Sequence, residues 1–187
     1  IKLFIIIIFT PMMYVIGSPA FNFKSCTKEF AIAILSKLDI LSVDTENLYD
    51  PTYKLLSFQI GNKQDQFLIL EDFLFFKELL ETKHIILQNA KHDLKSFAYL
   101  GIYPKYIHDT FLQEMILISG HYSLGMSMTK CKLNALVKKY CNVEISKELQ
   151  KKPEVSQKFF EYSLTDIVYL EDINNAQKVL LDKEGLN

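Results

Sequence analysis

Three short segments of this 187-residue chain combine residue types that can do chemistry together. Asp44-Thr45-Glu46 closes the apolar run Ile40 to Val43, Asn89 to Asp93 follows a second apolar run, and Tyr162 and Asp166 stand four residues apart on a helix-like stretch. Asp44, Glu46, Asp93 and Asp166 are hard oxygen donors of the kind that Mg²⁺ selects over nitrogen or sulfur. Two such ions, roughly 3.5–4 Å apart, can hold the attacking and leaving oxygens of an in-line displacement at phosphorus. Four carboxylates also balance the charge of two Mg²⁺, which leaves the ions free to offset phosphate charge as it builds. Without metal the same group would repel itself and any nucleic acid. The chemistry implied is metal-assisted cleavage of a phosphodiester.

Each segment also has a plain structural reading. Asp-x-Glu recurs at Asp182-Lys183-Glu184 with no strand before it, so the pattern alone carries little. In Ile40 to Glu46, strand alternation puts Asp44 and Glu46 on one face; the alternative is a polar strand end entering a turn. Asp93 sits where a strand meets a helix and could serve only as an N-terminal cap. Tyr162 and Asp166 share a helical face, and a surface Asp beside a packed Tyr would look the same. The order of the three, each at the edge of an element, favours one shared site.

The elements that must position them alternate along the chain. Thr27 to Leu38 has helical spacing with Thr27 as N-cap. Ile40 to Asp44, Leu55 to Ile60 and Phe67 to Leu70 read as a three-strand meander, punctuated by Asn47 to Thr52 and by Gly61-Asn62. Phe73 to Glu81 reads as helix, His84 to Gln88 as strand, and Asp93 to Leu100 as helix closed by Gly101. Asp109 caps a helix over Thr110 to Ile118, Gly120 to Thr129 is a loop, and Lys132 to Tyr140 and Thr165 to Leu181 are helical. This order predicts an α/β fold, a mixed sheet with helices on its faces and a helical C-terminal part.

Composition bounds the remaining possibilities. With 49% apolar and 23% charged residues, the chain suits one globular domain, placed over residues 21–187. All 21 basic residues are lysine, so bidentate guanidinium recognition of phosphate is excluded. The net charge of −1 hides an uneven distribution: Lys130, Lys132, Lys138, Lys139, Lys147, Lys151 and Lys152 face only Glu144 and Glu148 in their stretch. Such a run is either a solvated helix face or a patch that tracks a phosphate backbone, and the acidic site beside it favours the patch. Cys26, Cys131 and Cys141 lack paired spacing, and the four histidines show no ligand spacing, which argues against disulfides and a zinc site. Residues 1–20 form a hydrophobic N-terminal segment. Its Lys2, apolar run and Gly17-Ser18-Pro19-Ala20 fit a targeting segment, while Pro11, Gly17 and Pro19 interrupt a membrane span and fit a buried extension.

With these residues in view, the sequence resembles the DEDD superfamily of 3′–5′ exonucleases, in its tyrosine-bearing branch with ribonuclease D and the proofreading domains of family A DNA polymerases. The resemblance runs from about Phe21 to Leu186. Asp44-Thr45-Glu46 looks like the first exonuclease motif, Gln88 to Asp93 like the second and Tyr162 to Asp166 like the third. Lys132 to Tyr140 and Lys147-Glu148-Leu149-Gln150 are similar to the helix and segment that precede the third motif, and Asp109-Thr110 matches a recurrent position that we read as structural.

The resemblance implies a ribonuclease H-like fold and stepwise release of nucleoside 5′-monophosphates from 3′ ends of single-stranded DNA or RNA. It implies two divalent ions, Mg²⁺ or alternatively Mn²⁺. Asp44, Glu46 and Asp166 would hold the ion that activates water, and Asp44 and Asp93 the second. Tyr162 would orient or help deprotonate the water, and Thr45, Asn89, Lys147 and Gln150 would bind substrate. A polymerase domain is an alternative partner, no stable membrane partner is expected, and the setting implied is intracellular, or an organelle if residues 1–20 are a targeting sequence. Two further readings are a proofreading fragment of a polymerase and an inactive nucleic-acid-binding domain of the same fold. His92 replaces a more usual aromatic residue, and Lys151-Lys152-Pro153 replaces the Ser-Asp-Trp of many ribonuclease D-like chains.

Overall fold

The computed structural model describes residues 12–17, 23–47, 54–119, 128–145 and 156–186. Seven strands form one sheet: β1 (Met12–Ile16), β2 (Lys24–Ser25), β3 (Ile40–Asn47), β4 (Leu55–Gly61), β5 (Asp65–Ile69), β6 (His84–Leu87) and β7 (Tyr106–Asp109), ordered β2-β1-β5-β4-β3-β6-β7. The expected meander is present, with β4 antiparallel to both β3 and β5. Its tight turn follows from two side groups. Gly61 has φ +150°, and a Cβ there would lie 2.0 Å from the Asp65 carbonyl oxygen. The Asn62 side chain accepts from the backbone N–H groups of Gln64 and Asp65, both at 2.8 Å.

The other pairings are parallel: β6 with β3 and β7, and β1 with β5 and β2. The fold is therefore the expected mixed sheet, with three strands that the periodicity did not single out: β1, the two-residue β2 and β7. Tyr14, Val15 and Ile16 of β1 are all buried, so a strand covered on both faces reads only as a continuous apolar run. Within the 1–20 segment, Met12–Ile16 thus belongs to the sheet. β7 fails to alternate for the opposite reason, being a short edge strand with Tyr106 and Ile107 exposed.

Helices cover both faces. On one side lie α1 (Lys28–Leu35), α2 (Lys77–Thr82) and α3 (Lys91–Tyr99), whose Ala31, Leu35, Leu80 and Phe97 join Leu41, Val43, Phe58, Ile60, Phe67 and Ile69 of the sheet in the largest core. The Thr27 hydroxyl caps α1 through the Phe30 N–H, and α3 ends at Gly101, φ +70°, with Ile102 N–H returning to the Phe97 carbonyl. Phe97 meets Phe58 of β4 edge-on at 6.0 Å, which fixes α3 against the sheet. On the other side lie α4 (Thr110–Ser119), α5 (Leu133–Leu136), α6 (Gln157–Val168) and α7 (Leu170–Lys183). There Phe159, Phe160 and Leu164 pack on Val15 and Leu68, while Ile167, Leu170 and Ile173 pack on Ile86.

Three helix expectations need adjustment. The Phe73 to Glu81 helix opens as a 3₁₀ turn, Phe73–Phe76, before α2, and the Lys132 to Tyr140 helix is α5 followed by a π turn, Val137–Cys141. The helix carrying Tyr162 starts at Gln157, eight residues before Thr165, because Ser156 caps it through the Phe159 N–H; it then breaks at Tyr169. Of the expected loop over Gly120 to Thr129, residues 120–127 lie outside the described residues.

Candidate active site

β3 sorts the first motif by its pleat. Leu41 and Val43 point into the core shared with α1 to α3, and Ile40 packs with Ile167 on the opposite face. Continuing the alternation, Asp44 and Glu46 face α6, and Thr45 faces α3. Two hydrogen bonds agree. Ser163 of α6 donates its hydroxyl to Glu46 Oε1 at 3.0 Å, and Thr45 donates to Asp93 Oδ1 at 2.7 Å.

Tyr162 and Asp166 lie one turn apart on α6, beside Ser163. Burial pushes the Tyr162 phenol well above its ordinary range, and the negative charges of Asp166, Glu46 and Asp44 push it further. The same three carboxylates therefore act on one buried hydroxyl, and with it they form one electrostatic unit. Asp93, in the first turn of α3, is only 4% exposed. Burial pushes its carboxyl up to about 7 against the stabilising hydrogen bond of Thr45, and the charge of Asp109 raises it further.

The structure thus brings Asp44, Glu46, Tyr162 and Asp166 together on one face, with Asp93 reached through Thr45 on the other. Among the described residues, no three His, Cys, Asp or Glu side chains converge closely enough to enclose a cation as they stand. The donor chemistry nevertheless fits a hard divalent cation. Nearby carboxylates, a phenol held protonated by them and a buried aspartate pushed towards neutrality are the signs of negative charge that a cation would offset.

The turn between β6 and α3 carries Asn89 with φ +60°, a left-handed conformation that Asn tolerates better than most residues. Asp109 holds it: its two carboxylate oxygens accept from the N–H groups of Asn89 and Ala90, each at 3.0 Å, and Oδ1 also accepts from Phe111 N–H at 2.9 Å. Asp109 therefore caps α4 as expected and braces the turn that starts α3.

Lys147 and Gln150 lie outside the described residues, as do Lys151 and Lys152. The described half of the basic stretch is partly committed elsewhere. Lys138 pairs with Glu144, and Lys139 pairs at 2.7 Å with Glu114, a buried carboxylate that also accepts from Tyr140 at 2.6 Å and Gln177 at 3.1 Å. This group ties α4, the π turn and α7 together.

Residues that the sequence reading missed are Ser163 and a polar row on β4 and β5. Ser57, Gln59 and Gln66 are fully buried. In Leu55–Gly61 the polar positions Ser57 and Gln59 alternate with Phe58 and Ile60, a pattern that reads as a solvent face but lies under α6 here. For Ser163 the available signal was its place beside Tyr162, on the next position of the same helix.

A protein-family model described as 3′-5′ exonuclease matches residues 24–182. The chain belongs to that family. That match places this exonuclease domain in the DEDD superfamily, and solved structures that include an exoribonuclease share its fold. Escherichia coli RNase D, described as an exoribonuclease involved in structured RNA processing, is 20% identical with a TM-score of 0.70, over 84% of this chain and 43% of that one. The catalytic core of RRP6 from Trypanosoma brucei is 18% identical with a TM-score of 0.69, over 95% of this chain and 49% of that one. Brucella melitensis NrnC with bound Mg²⁺ is 17% identical with a TM-score of 0.68, over 95% and 85%. The domain therefore spans less than half of the RNase D and RRP6 chains and most of NrnC. No curated protein matches the sequence. Among the described residues, no helix is long and apolar enough to cross a membrane.

Proposed function

We propose that this domain removes nucleotides one at a time from the 3′ end of single-stranded nucleic acid, using two divalent ions. The observation that carries the reading is the placement of Asp44 and Glu46 on the face of β3 that meets α6, where Ser163, the neighbour of Tyr162 and one turn from Asp166, donates to Glu46 at 3.0 Å. Asp44, Glu46 and Asp166 would hold one ion, Asp44 would also touch the second, and Asp93 would support that second ion partly through water. Bound there, Mg²⁺ or Mn²⁺ would acidify the attacking water and offset charge on the phosphate oxygens.

The side chains do the rest. Tyr162, whose phenol is raised by burial and by the neighbouring carboxylates, would orient the attacking water or help to take its proton. Ser163 steadies Glu46, Thr45 steadies Asp93, and Asp109 holds Asn89 where it would meet the terminal nucleotide. Lys147 and Gln150 would contact the substrate from the segment before α6. A water oxygen forms a bond to phosphorus as the bond to the 3′ oxygen of the preceding nucleotide breaks. The shortened strand leaves with a 3′-hydroxyl, and the product is a nucleoside 5′-monophosphate.

The likeness to RNase D, described as an exoribonuclease, makes RNA the first substrate to test, with DNA of matched sequence beside it. A strand labelled in its terminal 3′ nucleotide should release that label as a nucleoside 5′-monophosphate with Mg²⁺ and release nothing with EDTA. Release of a nucleoside 3′-phosphate, or of longer fragments first, would overturn the reading.

A further inference from the structure

The sheet face beneath α6 carries more buried polarity than packing requires. The β3–β4 register sets Gln59 opposite Asp44 and Ser57 opposite Glu46. Gln59 is fully buried; its Nε2 donates to Ser57 Oγ at 3.0 Å, and its Oε1 has no hydrogen-bond partner among the described residues. The next residue in this cross-strand row is Leu68 of β5, fully buried, so an apolar side chain of similar size would suit the position. A buried carboxamide oxygen without a partner destabilises a fold, and residues of this kind are kept where they serve a site.

We propose that Gln59 is a positioning residue for the Asp44–Glu46 pair. Gln59 occupies an acceptor site of Ser57, which leaves the Ser57 hydroxyl proton for an acceptor, and the carboxylate opposite Ser57 in the register is Glu46. The carboxamide can present either end to Asp44 after a half-turn. Together with Ser163 from α6, Ser57 and Gln59 from β4 would hold both carboxylates in fixed orientations ready for a cation. Partners at one remove from a metal typically change its affinity about 10–100-fold. The inference rests on the reading that Asp44 and Glu46 hold divalent ions.

Gln66 supplies an internal control. It too is fully buried, with both amide atoms lacking a hydrogen-bond partner among the described residues, but its register partner is Gly61, in the row of Ser42 and away from the carboxylates. The test is Mn²⁺ binding to the protein alone by isothermal titration calorimetry, together with the thermal midpoint of the metal-free protein. Gln59→Leu should raise the metal-free midpoint by about 2–4 °C and weaken Mn²⁺ binding about tenfold or more. Gln66→Leu should raise the midpoint and leave Mn²⁺ affinity unchanged. Wild-type affinity in Gln59→Leu, or an equal loss in Gln66→Leu, would overturn the inference while leaving the proposed function standing. Absence of Mn²⁺ binding in the wild type would overturn both. Should Gln59→Leu not fold, Ser57→Ala carries the test: weaker Mn²⁺ binding supports the assignment, and unchanged binding refutes it.

Discussion

Asp93 should make the metal-free fold less stable as pH rises. Its carboxyl is 4% exposed, and burial lifts it from an ordinary value of 3.8 to about 7. The folded chain therefore holds a proton that the unfolded chain has released between those two values, so stability is full below about pH 4 and is lost as pH rises through about 7. A shift of about three units corresponds to roughly 4 kcal/mol, an upper bound because local relaxation and water entry lessen the cost of the buried charge. Asp93→Asn keeps the shape and removes the titration. In EDTA, urea unfolding of the two proteins should give equal stability near pH 4, and a gap favouring Asp93→Asn should open to about 2–4 kcal/mol by pH 8. Taking the difference between the two proteins cancels the titration of carboxylates that do not interact with Asp93, so that Asp93 and its electrostatic neighbour Asp109 set the gap. A gap that is flat with pH would refute the claim that Asp93 is a desolvated carboxylate. A wild type that gains on the variant as pH rises would refute its sign.

Three further outcomes follow from the same contacts. Ser163→Ala removes a hydroxyl from Glu46 and should lower stability by about 1 kcal/mol and weaken Mn²⁺ binding several-fold, read by denaturation and calorimetry. Tyr162→Phe should lower kcat by about a hundredfold with Mn²⁺ affinity retained, since the phenol orients water and holds no ion; an equal loss of affinity would contradict this role. Glu114→Ala leaves Tyr140 and Gln177 without their buried acceptor and should cost about 1–3 kcal/mol in urea unfolding, whereas Lys138→Ala, which breaks an exposed pair, should change stability by well under 1 kcal/mol.

The parts of the fold legible in the sequence are those where one local rule dominates. Alternation along Ile40–Glu46 put Asp44 and Glu46 on one face, and the turn chemistry of Gly61-Asn62 and the stop at Gly101 were readable because few residues accept those backbone angles. β1 escaped because a strand buried on both faces has no alternation, and β7 because an exposed edge strand has none either. The start of α6 was misplaced because its cap, Ser156, precedes the motif by six residues and lies in a polar stretch with no earlier apolar period.

The site shows the same division. The spacing of Tyr162 and Asp166 on one helical face could be read directly, whereas the arrival of Asp93 through Thr45, on the face away from α6, depends on how α3 docks and has no sequence period. Lys139 illustrates the limit of charge counting. It belongs to the basic run by composition but is committed to Glu114, a residue 25 positions earlier that the run does not contain. Ser57 and Gln59 look like a solvated strand face until α6 covers them, and that covering turns ordinary polar alternation into a polar floor beneath the carboxylates.

Whether the domain is a metal-dependent 3′–5′ exonuclease is decided by cleavage of 5′-labelled single-stranded RNA and DNA of one sequence, by the wild type and by Asp44→Ala, with Mg²⁺, with Mn²⁺ and with EDTA. The expected result is a ladder that shortens by single nucleotides from the 3′ end, requires the divalent ion and disappears in the variant. Intact strands in every lane, with strand binding retained in EDTA, would contradict the account and leave a nucleic-acid-binding domain built on an exonuclease fold.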